Sequence, residues 1–194
     1  MSITIPGAKN TPQRNPRRWI VATIVGLALI AASHFASATD APSIGDFAGH
    51  FRGEAQVQAG DRFFIQQLRD ADVDLRAEGD GFRLRWTTVI HFREGDTTKL
   101  RQRAADLRFV AGPMPGQFRT AEPFEPFTEK PTAWAYIEGN RFVVHVLSVL
   151  TDGNYELQTY ERVVSEDRMT LHFTRISPGQ PELVVFGRLI RQPQ

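Results

Sequence analysis

The sequence contains no cysteine, and this absence excludes several kinds of site at once. A thiol nucleophile, a disulfide framework and thiolate metal ligands are all ruled out. Helical patterning is absent too, since no segment after residue 38 carries apolar residues at helical spacing. The sequence also lacks a glycine-rich phosphate loop and the G-x-S-x-G elbow of serine hydrolases. What remains is a β-rich chain without a recognisable hydrolytic or phosphate-binding motif.

The first 38 residues have the composition of a secretory signal peptide. Four basic residues and no acidic residue lie before Trp19, an apolar segment of 14 residues runs from Trp19 to Ala32, and the small residues Ala36, Ser37 and Ala38 follow. A permanent transmembrane helix needs about 20 apolar residues, so this segment is short for one. We predict cleavage after Ala38 and export to the periplasm or the medium. An uncleaved leader is the alternative, and it would be the only contact with a membrane.

Removal of residues 1–38 changes the charge of the protein. The full chain has 23 basic and 22 acidic residues; 19 basic and 22 acidic residues remain, a net charge of about −3 with neutral histidines. A mildly acidic domain lacks the basic face that nucleic-acid binding requires, so we expect no nucleic-acid partner. The remaining residues, 39–194, have the normal length of one domain.

Apolar and polar residues alternate along most of this domain. The segment that starts at Phe82 places Phe82, Leu84 and Trp86 on one face and Arg83 and Arg85 on the other. A strand with one buried face has this pattern. Nine such segments succeed one another, separated by short turns rich in Gly, Asn and Asp: 47–57, 63–77, 82–92, 98–110, 132–138, 142–150, 155–163, 169–174 and 182–190.

Two places depart from simple alternation. In the fourth segment Leu100 has the opposite parity from Leu107, which predicts a β-bulge near Ala104 and Ala105. Residues 112–131 contain five prolines, and we predict that they form a loop. This loop is either a lid or a plug, the plug being made by Phe118, Phe124 and Phe127.

A meander of this length must protect the edges of its sheet from pairing with other chains. The predicted fold is therefore all-β, a single antiparallel meander barrel, with a β-sandwich as the alternative.

The start of the first strand resembles that of the calycin superfamily, which includes the lipocalins and fatty-acid-binding proteins. Gly49, Phe51 and Gly53 are similar to the glycine–any–tryptophan opening of those barrels, with Phe51 at the position of the tryptophan, and also resemble the opening of nitrobindin-like haem barrels. The turn with Thr151, Asp152 and Tyr155 resembles the threonine–aspartate–tyrosine turn of lipocalins, interrupted by two inserted residues. The resemblance implies a lipocalin-like barrel, with Arg188 or Arg191 closing over the aromatic ring of the first strand.

Aromatic and polar residues of the middle strands are the candidate ligand contacts. An apolar lumen with a few convergent polar groups is typical of a barrel that binds a small ligand, and an arginine beside a tyrosine suits an acidic head group. The alternative is a filled core without a cavity. The candidate ligand-binding residues are Trp86, Trp134, Tyr136, His145, Tyr155, Gln158, Tyr160 and Arg162.

The histidines and a run of aspartates raise two other kinds of site. His50, His91, His145 and His172 have no metal-ligand spacing, so a zinc site would have to be assembled from separate strands. The nitrobindin resemblance would make His145 or His172 the haem ligand. Asp70, Asp72 and Asp74 share one face of a strand, where they either perform acid–base or calcium chemistry or lie on a solvated face among arginines.

Three functions are compatible with these observations. The sequence favours an exported lipocalin-like barrel that binds or carries a small, partly apolar ligand. The second hypothesis is an interaction module of the cell envelope with a filled core and no ligand. A haem-binding or enzymatic barrel is the third, and the sequence favours the absence of enzymatic activity and of a resident cofactor.

Overall fold

A computed structural model describes residues 43–59, 62–123, 125, 128 and 130–193. The predicted signal peptide, residues 1–38, and the phenylalanines Phe124 and Phe127 therefore lie outside the described residues. Within the described part of the chain, no helix has the length and hydropathy needed to span a bilayer. One short helix and ten strands make up the domain: α1 (Ile44–Phe47), β1 (Gly49–Ala59), β2 (Arg62–Glu78), β3 (Gly81–Glu94), β4 (Thr97–Ala111), β5 (Gln117–Thr120), β6 (Thr132–Glu138), β7 (Arg141–Val149), β8 (Tyr155–Ser165), β9 (Arg168–Ile176) and β10 (Leu183–Arg191).

The strands form a closed antiparallel barrel in meander order. Each strand pairs with its neighbours in sequence, and β1 pairs with β10 to complete the ring. The predicted closed barrel is confirmed, and the sandwich alternative is excluded by this closure. Closure protects most of the strand edges from pairing with other chains, although the short β5 pairs with β4 only through Phe109, Val110 and Ala111.

Two details of the predicted fold are wrong. The segment 112–131 is not all loop, because Gln117–Thr120 lies between its prolines and pairs with both β4 and β6 as a tenth strand. The predicted bulge in β4 does not exist, because the register of β3 and β4 is unbroken from Phe82 opposite Phe109 to Glu94 opposite Thr97. Leu100 instead faces outward and is 64% exposed.

One end of the barrel is filled with aromatic side chains. The ring of Phe82 stacks on Phe109 with centroids 4.4 Å apart, and it makes edge contacts with Phe118 and Phe142 at 5.0 and 5.3 Å. Phe47 of α1 covers this cluster, with its ring 5.6 Å from that of Phe142. Burial of each such side chain stabilises the folded barrel by roughly 1.5–3 kcal/mol.

The seam between β1 and β10 closes over the first-strand aromatic. The Arg191 guanidinium lies 4.6 Å from the centroid of the Phe51 ring and donates a hydrogen bond of 2.5 Å to the Ala48 carbonyl. Of the two arginines considered, Arg191 and not Arg188 therefore makes the predicted contact. The same seam requires a glycine at position 53 of β1, opposite Leu189 of β10. A Cβ on Gly53 would lie 2.0 Å from the Arg188 carbonyl oxygen.

Candidate ligand-binding lumen

The other end of the barrel is hollow. A cavity of about 720 Å³ extends from its mouth to the level of Trp86 and Tyr160. The change from filled to hollow is visible along β3, where Phe82 and Leu84 are fully buried but Thr88 and Ile90, on the same face, are only half-buried. The volume lies within the range of small-molecule sites.

Apolar residues form the wall and the floor of this cavity. The Trp86 ring lies 5.0 Å from that of Tyr160, which in turn lies 4.8 Å from that of Phe173. Leu107 and Val146 continue the wall on other strands. A flat or flexible apolar molecule would exchange water for these surfaces, at about 25 cal/mol for each Å² buried.

A polar ladder runs along the inward face of β8. The Tyr160 hydroxyl donates a hydrogen bond of 2.6 Å to Gln158 Oε1, and the Gln158 amide donates one of 2.5 Å to Glu156 Oε1. Burial raises the pKa of Tyr160 to about 12, so this hydroxyl is a neutral donor at physiological pH. The ladder connects the apolar floor to the mouth.

Four arginines line the cavity toward its mouth: Arg69 from β2, Arg101 and Arg103 from β4, and Arg175 from β9. Burial, followed by the positive charges of Arg103 and Arg175, lowers the pKa of Arg69. Arg175 Nε lies 3.7 Å from Glu156 Oε2, which is an ion pair but not a hydrogen bond. The interior of the hollow end is therefore strongly positive although the domain as a whole is not.

A fifth arginine, Arg162, is completely buried between the filled and the hollow ends. Its guanidinium carbon lies 5.0 Å from the ring centroid of Tyr160 and about 6 Å from those of Trp86 and Phe142. Among the described residues, its Nε and Nη1 have no hydrogen-bond partner. Burial lowers its pKa to about 10, so it remains charged at neutral pH and is held chiefly by aromatic rings.

The eight residues proposed as ligand contacts divide into two groups. Trp86, Gln158 and Tyr160 line the cavity, and Arg162 packs directly against two of these. The other four lie on the outer face of the barrel: Trp134, Tyr136, His145 and Tyr155.

The outer aromatic group is a packed cluster of its own. The His145 ring stacks on Trp134 at 4.9 Å, lies 5.8 Å from Tyr136, and forms a hydrogen bond of 2.9 Å with the Thr159 hydroxyl. Desolvation lowers the pKa of His145. These side chains cannot contact a ligand in the lumen because the sheet separates them from it. The family-motif residues Gly49, Phe51 and Gly53 lie at the filled end, where they contribute to the seam.

The histidines and aspartates also lie on the outer face. His50 contacts Asp72 at 2.9 Å, and His91 contacts Asp70 at 2.8 Å. Asp74 accepts hydrogen bonds from two arginines on the same surface. In the described part of the chain, no three histidine or acidic side chains converge to hold a metal ion. Asp70, Asp72 and Asp74 therefore lie on the outer face, where they pair with histidines and arginines. Neither His145 nor His172 faces the lumen.

The lumenal arginines were missed by the sequence analysis, although a signal for them exists. Apolar alternation in β4, followed backward from Leu107 and Ala105 without a bulge, leads to Arg103 and Arg101 on the inward face. Alternation in β9 likewise leads from Phe173 to Arg175. An assumed bulge in β4 reversed the faces there and placed these charges outside.

Comparison with known proteins supports the fold. No family model and no curated protein matches this sequence. Among solved structures, the S-type phycobiliprotein lyase CPES of Guillardia theta matches with a TM-score of 0.50 and 8% identity, over 78% of this chain and 91% of the lyase. The protein Rv2717c of M. tuberculosis matches with a TM-score of 0.46 and 15% identity, over 77% of this chain and 95% of that protein. At such an identity the likeness to the lyase shows the fold alone, a closed antiparallel barrel.

Proposed function

We propose that this protein is an exported barrel of the calycin type that binds or carries a small, partly apolar ligand in its hollow end. The observation that carries the proposal is the cavity of about 720 Å³ with aromatic and aliphatic walls. A packed core would be the more stable arrangement, because unfilled apolar space forgoes dispersion contacts. A barrel that fills one end with phenylalanines and leaves the other open is consistent with a binding protein.

Two further features support the calycin assignment and the export. The contact of Arg191 with the Phe51 ring joins the two ends of the barrel chain, as the resemblance implies for that superfamily. The composition of residues 1–38 supports passage out of the cytoplasm and a location in the periplasm or outside the cell. The Guillardia protein is named a lyase of phycobiliproteins, and we take from it the architecture and not its substrate.

Binding of the neutral, fluorescent, apolar probe N-phenyl-1-naphthylamine tests the proposal. We expect saturable enhancement of its fluorescence with one site per chain, and native mass spectrometry of protein purified from its own host should show a small-molecule adduct. Ala105→Trp places an indole inside the cavity and should abolish probe binding. Leu100→Trp adds the same side chain to the outer face of the same strand, where Leu100 is 64% exposed, and should leave binding unchanged.

Equal probe binding by the parent and Ala105→Trp proteins, with both folded by circular dichroism, would place the probe outside the lumen and contradict the proposal. An interaction module of the cell envelope that works through its outer surface would then be the better hypothesis. The exposed outer surface of Trp134, 39% accessible beside His145, would be the first face to test for a partner.

A further inference from the structure

The hollow end contains an excess of positive charge that its own residues do not neutralise. Four arginines line the cavity: Arg69, Arg101, Arg103 and Arg175. In the part of the chain that the structure describes, Glu156 is the one carboxylate that forms an ion pair with any of them, and it pairs with Arg175 alone. Arg69, Arg101 and Arg103 form no ion pair with any of the residues that the structure describes.

The strand register brings these charges together. Arg69 and Arg101 both lie opposite Ile90, one on each neighbouring strand, so their Cα atoms are roughly 10 Å apart, two strand spacings. Arg103 lies one inward position deeper, opposite Thr88. Arg175 approaches from the far wall on β9. Side chains as long as arginine can converge from these positions on a single group in the mouth.

The guanidinium groups also have unused donors. The Nε atoms of Arg69 and Arg175 are buried and lack a hydrogen-bond partner among the described residues. Buried donors without partners are costly, and like charges at close range repel one another, so the arrangement is unfavourable without an anion. Arginine donors are well suited to carboxylate and phosphate oxygens, which they bind in a bidentate manner.

We propose that the ligand is an amphipathic organic dianion, with its acidic head bound by Arg69, Arg103 and Arg175 at the mouth and its apolar body lying along Trp86, Tyr160 and Phe173. This inference rests on the proposed function, because it places the ligand in the same lumen. A dianion would reduce the net charge of the four arginines and Glu156 from +3 to +1. A neutral ligand would leave it uncompensated.

A series of amphiphiles with one tail and different heads tests the charge requirement. Dodecanol, dodecanoate, dodecyl phosphate and dodecylmalonate would compete with N-phenyl-1-naphthylamine at pH 8, below their micelle concentrations. The heads carry zero, one, about two and two negative charges respectively, since the second pKa of a phosphate monoester is about 6. We expect the dissociation constant to fall at least about tenfold for each charge, which equals ~1.4 kcal/mol at each step. The phosphate and malonate arms distinguish a phosphoryl head from a pair of carboxylates.

Three variants locate the effect. The double variant Arg69→Gln with Arg103→Gln should weaken binding of both dianions by about tenfold or more and leave dodecanol unchanged. Glu156→Gln should strengthen dianion binding, because it removes the competing carboxylate beside Arg175. Arg168→Gln is the matched control, since its side chain is 80% exposed on the outer face, and it should change nothing.

The outcomes separate the two proposals. If the neutral probe binds in the lumen but dodecanol competes as well as the dianions, or the arginine double variant retains the preference, the dianion inference is overturned and the binding function stands. If neither the probe nor any amphiphile enters the lumen, both are overturned. A dianion preference that the double variant removes and Glu156→Gln enhances supports the inference.

Discussion

Replacement of Arg162 by methionine should stabilise the protein, although it removes a fully buried side chain from the centre of the barrel. The guanidinium has aromatic neighbours and no carboxylate partner among the described residues. A buried charge without an ionic partner is usually a net cost, and apolar replacement of buried charges is often neutral or favourable. Methionine is unbranched and flexible, and it can occupy much of the same space.

The size of the effect follows from the burial of Arg162. A pKa lowered from 12.5 to about 10 corresponds to roughly 3 kcal/mol of penalty on the charged form, at ~1.4 kcal/mol for each pKa unit. Loss of the cation–π contacts offsets about 0.5–2 kcal/mol of the stability gained by removal of this penalty. The net gain is therefore about 1–2.5 kcal/mol, which should raise Tm by roughly 2–10 °C for a domain of this size.

The dependence on pH provides a second test of the same reasoning. Because the pKa of the folded state is lowered, the penalty is fully present below about pH 10 and declines as the pH rises through that value. Urea denaturation at pH 7 should therefore show Arg162→Met to be the more stable protein, by a margin that shrinks above pH 10. Arg141→Met, which removes an exposed arginine from the outer face, should change stability by less than about 0.5 kcal/mol.

A destabilisation of Arg162→Met by more than about 1 kcal/mol at pH 7, with the dependence on urea unchanged, would refute this account. It would mean that the aromatic contacts and packing of the guanidinium outweigh its desolvation.

Three further predictions concern the seam and the outer face. Gly53→Ala should cost more than about 3 kcal/mol in urea denaturation, because its Cβ would lie 2.0 Å from the backbone oxygen of Arg188 and 2.7 Å from the Leu189 Cα. Arg191→Leu should cost about 2 kcal/mol through loss of the Phe51 contact and of a hydrogen bond to a backbone carbonyl. His145 should titrate below pH 6.5 by NMR, since desolvation lowers its pKa, and its desolvation should reduce stability as the pH falls below 6.5.

Each of these has a matched control. Gly139→Ala meets no atom within 4 Å and should cost only about 1 kcal/mol, from its positive φ of 57°. Arg188→Leu, at an exposed position on the same strand as Arg191, should be close to neutral. His145→Gln should flatten the loss of stability between pH 7.5 and pH 5. Equal costs for the two glycine variants, or an unchanged pH dependence in His145→Gln, would contradict the corresponding argument.

The barrel could be predicted from sequence because its signal is local and repeated. Alternation such as that from Phe82 to Trp86 defines a strand with one buried face, and short turns of Gly, Asn and Asp define a meander. The tenth strand was missed because Gln117–Thr120 is only four residues long and lies between prolines, where pairing with β4 and β6 overrides local preference. A strand of only four residues carries too little alternation to be recognised in the sequence.

The site was predicted less completely than the fold. Alternation shows which residues of a strand share a face, but it does not always show which of the two faces points into the barrel. Trp86, Gln158 and Tyr160 line the lumen, whereas Trp134 and His145 carry an equally apolar pattern on the outer face, where they pack on each other. Arginines at inward positions look like surface charges in a sequence. Unbroken alternation from Leu107 identifies Arg101 and Arg103 as inward, but only once the β-bulge in β4 is excluded.

The central claim is that a ligand binds inside the hollow end and not on the surface or in the filled end. Intermolecular NOEs between dodecyl phosphate and methyl-labelled protein test it directly. The account predicts NOEs to Ile90, Leu107 and Leu171, which line the cavity, and none to Leu75 or Leu189, which are fully buried outside it. NOEs confined to exposed methyl groups such as those of Leu100 and Ile190, or no NOEs at saturating ligand, would contradict it.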